Sequence, residues 1–408
     1  MKKAALIHYS GNILSALGAL AGVSLLSHLV PADIYGIIAL YIAFATLFQH
    51  VIREALSNAL MRHSPEILNN KHTAITLARN SAFPILLCYG AICFFCLFWI
   101  SSASPSERIL SFALILVMGL IVAGEGLLSA LLKRGAYAVH LNLAQWLRFP
   151  LAAVFFCFFS RTPSALLFGF ILAFSAAFAF DLYIFKTTAA PAQPNPTPEA
   201  SGLNIFRGFT PMLIGFLIWF ATFYDRIAIE RIRGEETLGV YFVLIQIAYM
   251  PIIILMRSTA NFLFPLLYHR KKRGLNPKMI FLIFAALFAG WLILNMTHQW
   301  LFSWLVGEQY RSYSWLLPWL FLTAVLNAVA YLLQAKFYQP DAMKTLLKIR
   351  TVTALVCGFT VTLLAWLYGI VGLVFANVCT SVVLMLLSVY FGRNYRFKEQ
   401  LNRSTPGP

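Results

Sequence analysis

Long apolar runs constrain this 408-residue chain more than any other feature. About 20 residues of helix cross a hydrocarbon layer roughly 30 Å thick, and runs of that length recur throughout. They span 8–30, 35–60, 81–101, 109–132, 137–160, 163–185, 207–228, 238–260, 279–298, 313–335, 349–368 and 370–391. No water satisfies the backbone inside lipid, so only helices and closed barrels cross it. The runs are too long and too evenly apolar for the roughly ten-residue alternating strands of a barrel. Composition agrees, because 11% charged residues is under half the roughly 25% of a soluble domain. The expected fold is all-α and integral to the membrane, with about twelve transmembrane helices. Met1-Lys2-Lys3 before an apolar run has the look of a secretory signal. His8, Asn12 and Ser15 dilute that run and further spans follow, so the first helix is read as a span.

Orientation follows from the Lys/Arg distribution. With the N-terminus inside, inner segments hold twenty-three of the 31 basic residues. Outer segments hold Arg108, Arg161, Arg226, Arg231, Arg233 and Arg311, while Arg53 and Arg148 lie within spans. An even number of spans with both termini cytoplasmic is expected. The net charge of +17 then faces anionic headgroups, and no nucleic-acid partner is needed to explain it.

Pro191, Pro194, Pro196 and Pro198 mark one linker. The expected organisation is a six-helix lobe over 1–185, a cytoplasmic linker over 186–205, a second six-helix lobe over 206–392 and a basic tail over 393–408. The lobes read as diverged copies. An offset of 203 residues carries Gly36 to Gly239, Asn58 to Asn261 and Lys133 to Lys336. Copies of six helices share orientation, with an axis along the membrane normal and a cleft between them.

Ionisable groups at membrane depth are costly and mark pathways by default. Arg148 is mid-span, with Asn142 and Gln145 on the same arc of its helix and Pro150 just after it. It reads as a cavity cation, or as a structural Arg held by neighbouring carbonyls. The second span carries Thr46, Gln49, His50, Arg53, Glu54, Ser57 and Asn58 at steps of three and four, one helix face. That stripe reads as lumen-facing, against a snorkelling Arg53. Arg257, with Ser258 and Asn261, is either a repeat of Arg53 or an anchor. Glu125, between Gly124 and Gly126, is a cation or proton site or the buried partner of an Arg. Asp181, close to Lys186, is expected at the interface; with Glu54 and Glu125 it is a candidate for ion coupling. Thr323, Asn327, Tyr331 and Gln334 form a stripe that lines a lumen or binds another helix, and Pro318 suggests a kink. The candidate binding set is therefore Arg148, Arg53, Arg257, Gln145, Asn142, Gln49, Asn58 and Asn261.

Several chemistries lack their residues. Cys93 and Cys96 have redox spacing without a βαβ context, and all six cysteines read as buried thiols. The histidines show no metal-ligand clustering. Phosphate-binding glycines are missing, so no ATP-driven step is expected. Four Asp supply no Asp-x-Asp pair. No cofactor, metal or enzymatic activity is expected.

The punctuation between spans resembles one branch of the multidrug/oligosaccharidyl-lipid/polysaccharide (MOP) exporter superfamily. Leu29-Val30-Pro31-Ala32-Asp33-Ile34-Tyr35-Gly36 is similar to that branch's motif after the first helix. Tyr224-Asp225-Arg226 followed by Leu238-Gly239-Val240-Tyr241 resembles its motif around helices seven and eight. Phe264-Pro265-Leu266, Gly307-Glu308-Gln309-Tyr310 and Gly369-Ile370-Val371-Gly372-Leu373 resemble its later punctuation. Arg53-Glu54 departs from it, since many members carry small or apolar residues there. The branch is the polysaccharide exporters, particularly O-antigen-type lipid-linked oligosaccharide flippases. The resemblance implies transfer of an undecaprenyl-pyrophosphate-linked oligosaccharide, as in lipopolysaccharide assembly, across a bacterial inner membrane. The implied partners are the bilayer, that glycan lipid and other glycan-assembly membrane proteins. A cation-coupled drug exporter of the same superfamily, a glycan polymerase or ligase, and a scaffold are the competing readings.

Overall fold

The computed structural model describes residues 2–69, 72–99, 104–188, 205–269, 277–338 and 342–404, and no strand occurs among them. The Pro-rich linker lies outside the described residues from 189 to 204.

The first group of helices is α1 (Lys2–Leu29), α2 (Ala32–Ile52), a π turn (Arg53–Ser57), α3 (Asn58–Arg62), α4 (Ser64–Asn69), α5 (His72–Trp99), α6 (Pro105–Ala130), α7 (Arg134–Phe158) and α8 (Pro163–Thr187). The second is α9 (Ile205–Arg233), α10 (Glu235–Ala248), α11 (Met250–His269), α12 (Pro277–Leu305), a 3₁₀ turn (Glu308–Leu316), α13 (Leu317–Gln334), another 3₁₀ turn (Ala335–Tyr338) and α14 (Met343–Ser404). Local chemistry sets many of these ends. Ser104 and Glu107 form a reciprocal capping box ahead of α6, with Pro105 in its first turn. Gly234, at φ 86°, makes the left-handed turn between α9 and α10.

Among the described residues, ten helices are long and apolar enough to cross a membrane, or eleven counting α10 and α11, which meet at a 44° bend around Tyr249. The last, Met343–Arg393, is 51 residues long and is broken at Gly369, where φ is 58° and ψ −132°. Unbroken it would extend about 77 Å, more than twice the hydrocarbon thickness. Pro318, read as a kink, instead begins α13 after the 3₁₀ turn, a position where its missing N–H does no harm.

In the first group α1 packs on α7, α7 on α8, α8 on α6 and α6 on α2; in the second α9 and α13 both pack on α14. The groups meet along α2, which lies against α9 and α10. In consequence 83% of the α2 span is buried, against 11% for α5 and 6% for α12, which turn their apolar faces outward. Such faces are what lipid covers. Of the cysteines read as buried, Cys96 and Cys357 are, but Cys157 and Cys379 lie on outer faces.

Gly36 and Gly239, one offset apart in sequence, are in contact across the α2–α10 seam. A Cβ on Gly36 would fall 1.9 Å from the Glu235 carbonyl oxygen, and one on Gly239 would fall 1.8 Å from that of Ala32. The contact is reciprocal, and only hydrogen side chains allow it.

Candidate functional site

A cavity of about 90 Å³ lies between the two groups of helices. His50, Arg53 and Glu54 line it from the first group, and Tyr249, Asn327, Tyr331 and Arg350 from the second. The π turn shapes this wall. At Arg53–Ser57 the Asn58 N–H reaches back to the Arg53 carbonyl, a one-residue widening that recurs at functional positions.

Arg53 is buried and its Nη2 donates to Glu125 Oε2 at 2.9 Å. The other Glu125 oxygen, Oε1, lies 3.9 Å from His140 Nε2, and His140 Nδ1 is 2.8 Å from Asp181 Oδ1. A line of four ionisable side chains thus runs from the cavity wall through α6 and α7 to α8. The glycines beside Glu125 make it possible. A Cβ on Gly124 would strike Asp181 Oδ2 at 2.0 Å, and one on Gly126 would strike Ser57. Of the two readings of Glu125, the structure shows the buried partner of an Arg. Asp181, expected at the interface, is instead buried to 1% exposure, because His140 gives it a partner inside the bundle.

The rest of the second-span stripe supports this wall. Asn58 donates to Glu54 Oε2 at 2.9 Å, and Ser57 to the Val122 carbonyl at 2.7 Å. Gln49 is buried but is not part of the cavity lining. The α13 stripe divides: Asn327 and Tyr331 face the cavity, whereas Gln334 donates to Ser388 and joins α13 to α14.

Arg148 is not brought together with Arg53. It lies in a separate, small niche of about 20 Å³ with Tyr35, Phe170, Phe174 and Phe242. Its guanidinium sits 4.3 Å from the Phe149 ring centroid, and its Nε has no hydrogen-bond partner. Of the two readings of Arg148, a cavity cation or a structural Arg held by carbonyls, the second finds no carbonyl at its Nε. Asn142 points elsewhere, donating to the Gly11 carbonyl and so tying α7 to α1. Gln145 is half-buried, with Oε1 unpartnered. The side chain of Arg257 lies outside the described residues.

Contacts join the two groups of helices at both ends of the bundle. At the Gly36 end they are made by the α2–α10 seam. At the basic end Arg134 donates to the carbonyls of Asn261 (2.9 Å) and Phe262 (3.1 Å) on α11. His8 Nε2 meets the Ser258 carbonyl at 2.9 Å, Arg62 donates to the Tyr338 carbonyl, and Asn261 donates to the Tyr137 hydroxyl. Sequence reasoning missed His140, Arg134 and Arg350 as site residues. The last two looked like ordinary cytoplasmic charge near helix ends. The steps of three and four that put His140 with Tyr137 and Ala144 on one buried face were the signal available for the first.

The fold is similar to that of solved MATE transporters. A multidrug resistance MATE family transporter of the MOP superfamily, outward-facing, superposes with TM-score 0.64 at 15% identity, covering 97% of this chain and 98% of that one. A MATE in the straight conformation gives 0.64 at 15%, covering 97% and 96%. A MOP superfamily transporter from Pyrococcus furiosus, described for the reversed polarity of its binding pocket, gives 0.59 at 14%, covering 96% and 98%. At such identities the likeness is one of fold. Residues 1–270 match the family described as polysaccharide biosynthesis protein, and the chain belongs to that family. No individual curated protein matches it in sequence.

Proposed function

We propose that the protein is a flippase for an undecaprenyl-pyrophosphate-linked oligosaccharide, such as an O-antigen or other surface-polysaccharide unit. It would act in the bacterial cytoplasmic membrane by alternating access, without a covalent step. The observation that carries this reading is the central cavity. It bears two buried guanidinium groups, Arg53 and Arg350, between two groups of helices that also meet across the α2–α10 seam and through Arg134. A pyrophosphate and glycan cannot cross hydrocarbon without a replacement for water, and guanidinium forks match phosphate oxygens. Arg148 in its aromatic niche is a second anion position along the same α2–α10 seam. The polyprenyl tail would stay in the bilayer, against the exposed apolar faces.

The topology proposed with it has twelve spans: α10–α11 counts as one bent span and α14 as two, divided at Gly369. Both termini are then cytoplasmic and Arg134 lies at the cytoplasmic end. The lobes over 1–185 and 206–392 are repeats, a reading supported by the reciprocal meeting of Gly36 and Gly239.

Deletion of the gene should leave lipid-linked oligosaccharide on the cytoplasmic face, and the wild-type protein should restore surface glycan. No accumulated intermediate, together with new sensitivity to a lipophilic cation, would favour a drug exporter coupled through Glu54, Glu125 or Asp181. One observation favours that second reading: the carboxylate–His–carboxylate line behind Arg53 is built from groups that carry protons.

A further inference from the structure

Three apolar spans end together on one side of the second group of helices. The α12 span begins at Ile280, the α13 span closes at Tyr338 and the last span closes at Arg393. A pocket of about 190 Å³ lies between these ends. One water needs roughly 10–15 Å³ of such space, so a phosphate with the glycerol bonded to it has room. Ile280, Leu333 and Val389 give the pocket an apolar wall, and Lys336 and Arg393 give it a basic rim. No carboxylate is among the residues that line it. The Ser388 hydroxyl at its floor is already engaged, accepting from Gln334 and donating to the Leu384 carbonyl.

Lys336 is held in position at the rim. Its Nζ donates to the Gly392 carbonyl at 2.8 Å and lies 5.2 Å from the Phe337 ring centroid. Gly392 permits that approach, since a Cβ there would fall 2.8 Å from the same Nζ. Arg393 is exposed beside it, and Lys278 is exposed in the first turn of α12. An apolar wall under a cationic rim, at the level where spans end, matches a phospholipid, whose phosphate sits at the hydrocarbon boundary. Basic pockets between membrane helices on the cytoplasmic side hold anionic headgroups in this way. The pocket shares no lining residue with the central cavity, so it is not a station on the cargo path.

We infer that this pocket is a binding site for an anionic phospholipid, with its phosphate on Lys336 and Arg393 and an acyl chain against Ile280, Leu333 and Val389. Because α12 packs on α13 and α13 on α14, a lipid bound there clamps the ends of three helices. The inference rests on the membrane placement of these helices and not on the identity of the cargo.

Full-length protein in neutral detergent is followed by native mass spectrometry and thermal unfolding. The added probes are dioleoylphosphatidylglycerol, dioleoylphosphatidylcholine, glycerol 1-phosphate and undecaprenyl phosphate. Phosphatidylglycerol should bind at least about tenfold more tightly than phosphatidylcholine, the scale of two basic groups near a membrane surface, and should raise the unfolding temperature. Lys336→Gln with Arg393→Gln should erase that preference. Lys133→Gln with Lys186→Gln removes the same charge from exposed positions elsewhere and should keep it. Equal loss in the two pairs means diffuse surface charge and overturns the inference. If Lys336→Gln does not fold without its Gly392 bond, Arg393→Gln and the cleft-filling Val389→Trp read the same pocket. Each should weaken phosphatidylglycerol binding, and an unchanged preference in both overturns the inference. Stabilisation by glycerol 1-phosphate equal to that by phosphatidylglycerol overturns it by making the ligand free phosphate. Tighter binding of undecaprenyl phosphate, lost in Arg393→Gln, overturns it by giving the pocket to the cargo lipid. None of these failures touches the flippase reading, which stands on the fate of the glycan lipid in the deletion strain.

Discussion

Arg53 shows how a single side chain carries both structure and proposed function. It faces the cavity and is tied to Glu125, so removing it leaves a buried carboxylate without its partner. Arg53→Ala should therefore destabilise the protein by about 3–5 kcal/mol, read as a lowered unfolding temperature in detergent. Arg53→Ala combined with Glu125→Gln should recover most of that stability, because the orphaned charge is gone. Export of surface glycan should stay lost in the double variant. Recovery of export along with stability would make Arg53 a structural residue only. The sequence exposed Arg53 and Glu125 as charges at depth, since hydropathy makes any such residue stand out. It did not pair them, because a 72-residue separation carries no register. Arg226, counted with the outer segments but only 1% exposed, was misjudged for a related reason: a charge seven residues from a helix end reads as interfacial unless the packing around it is known.

At the scale of elements, the seam between α2 and α10 depends on two missing side chains. Gly36→Ala or Gly239→Ala would place a methyl on a carbonyl of the opposing helix, and backbone cannot rotate away as a side chain can. Each should lower stability by about 1–3 kcal/mol, the usual effect of overpacking, and hold the groups apart at that end. With Thr222→Cys on the cavity wall in a background lacking the native cysteines, labelling by an impermeant thiol reagent from that side should rise. Labelling equal to that of the Cys background would mean the seam does not control entry. Gly369 is the other such position: Gly369→Ala at φ 58° should cost about 1–2 kcal/mol and favour a straighter α14. The apolar spans were legible in the sequence but not their ends: α5 begins at His72 rather than at 81, and α12 runs to Leu305 rather than 298. The π turn, the bend at Tyr249 and the 3₁₀ start of α13 were not legible either, because they answer to neighbouring helices rather than to periodicity.

For the whole molecule, the basic bias and the break at Gly369 together predict an even number of spans. Reporter fusions after residue 195 and at the C-terminus should both read cytoplasmic, while reporters at Gly234 and Gly369 should read on the opposite side. A C-terminal reporter on the outer side would require an odd count and a continuous α14. The contacts that join the two groups at both ends also predict linkage between those ends. Arg134→Ala removes the guanidinium that holds α11, and it should raise cavity labelling from the cytoplasmic side without loss of insertion.

The sequence alone determined that this chain is a bundle of membrane helices, because a lipid interior accepts no other way to satisfy so much apolar backbone. It also determined which side chains were out of place there. Tertiary structure decided which of those side chains meet. It sent Arg53 to Glu125, Asp181 to His140, Arg148 to an aromatic niche and Arg226 to the ring of Phe223. Those choices depend on how helices rotate and approach one another. That is governed by close contacts between residues far apart in the chain, such as Gly124 with Asp181, and one-dimensional periodicity carries no record of them.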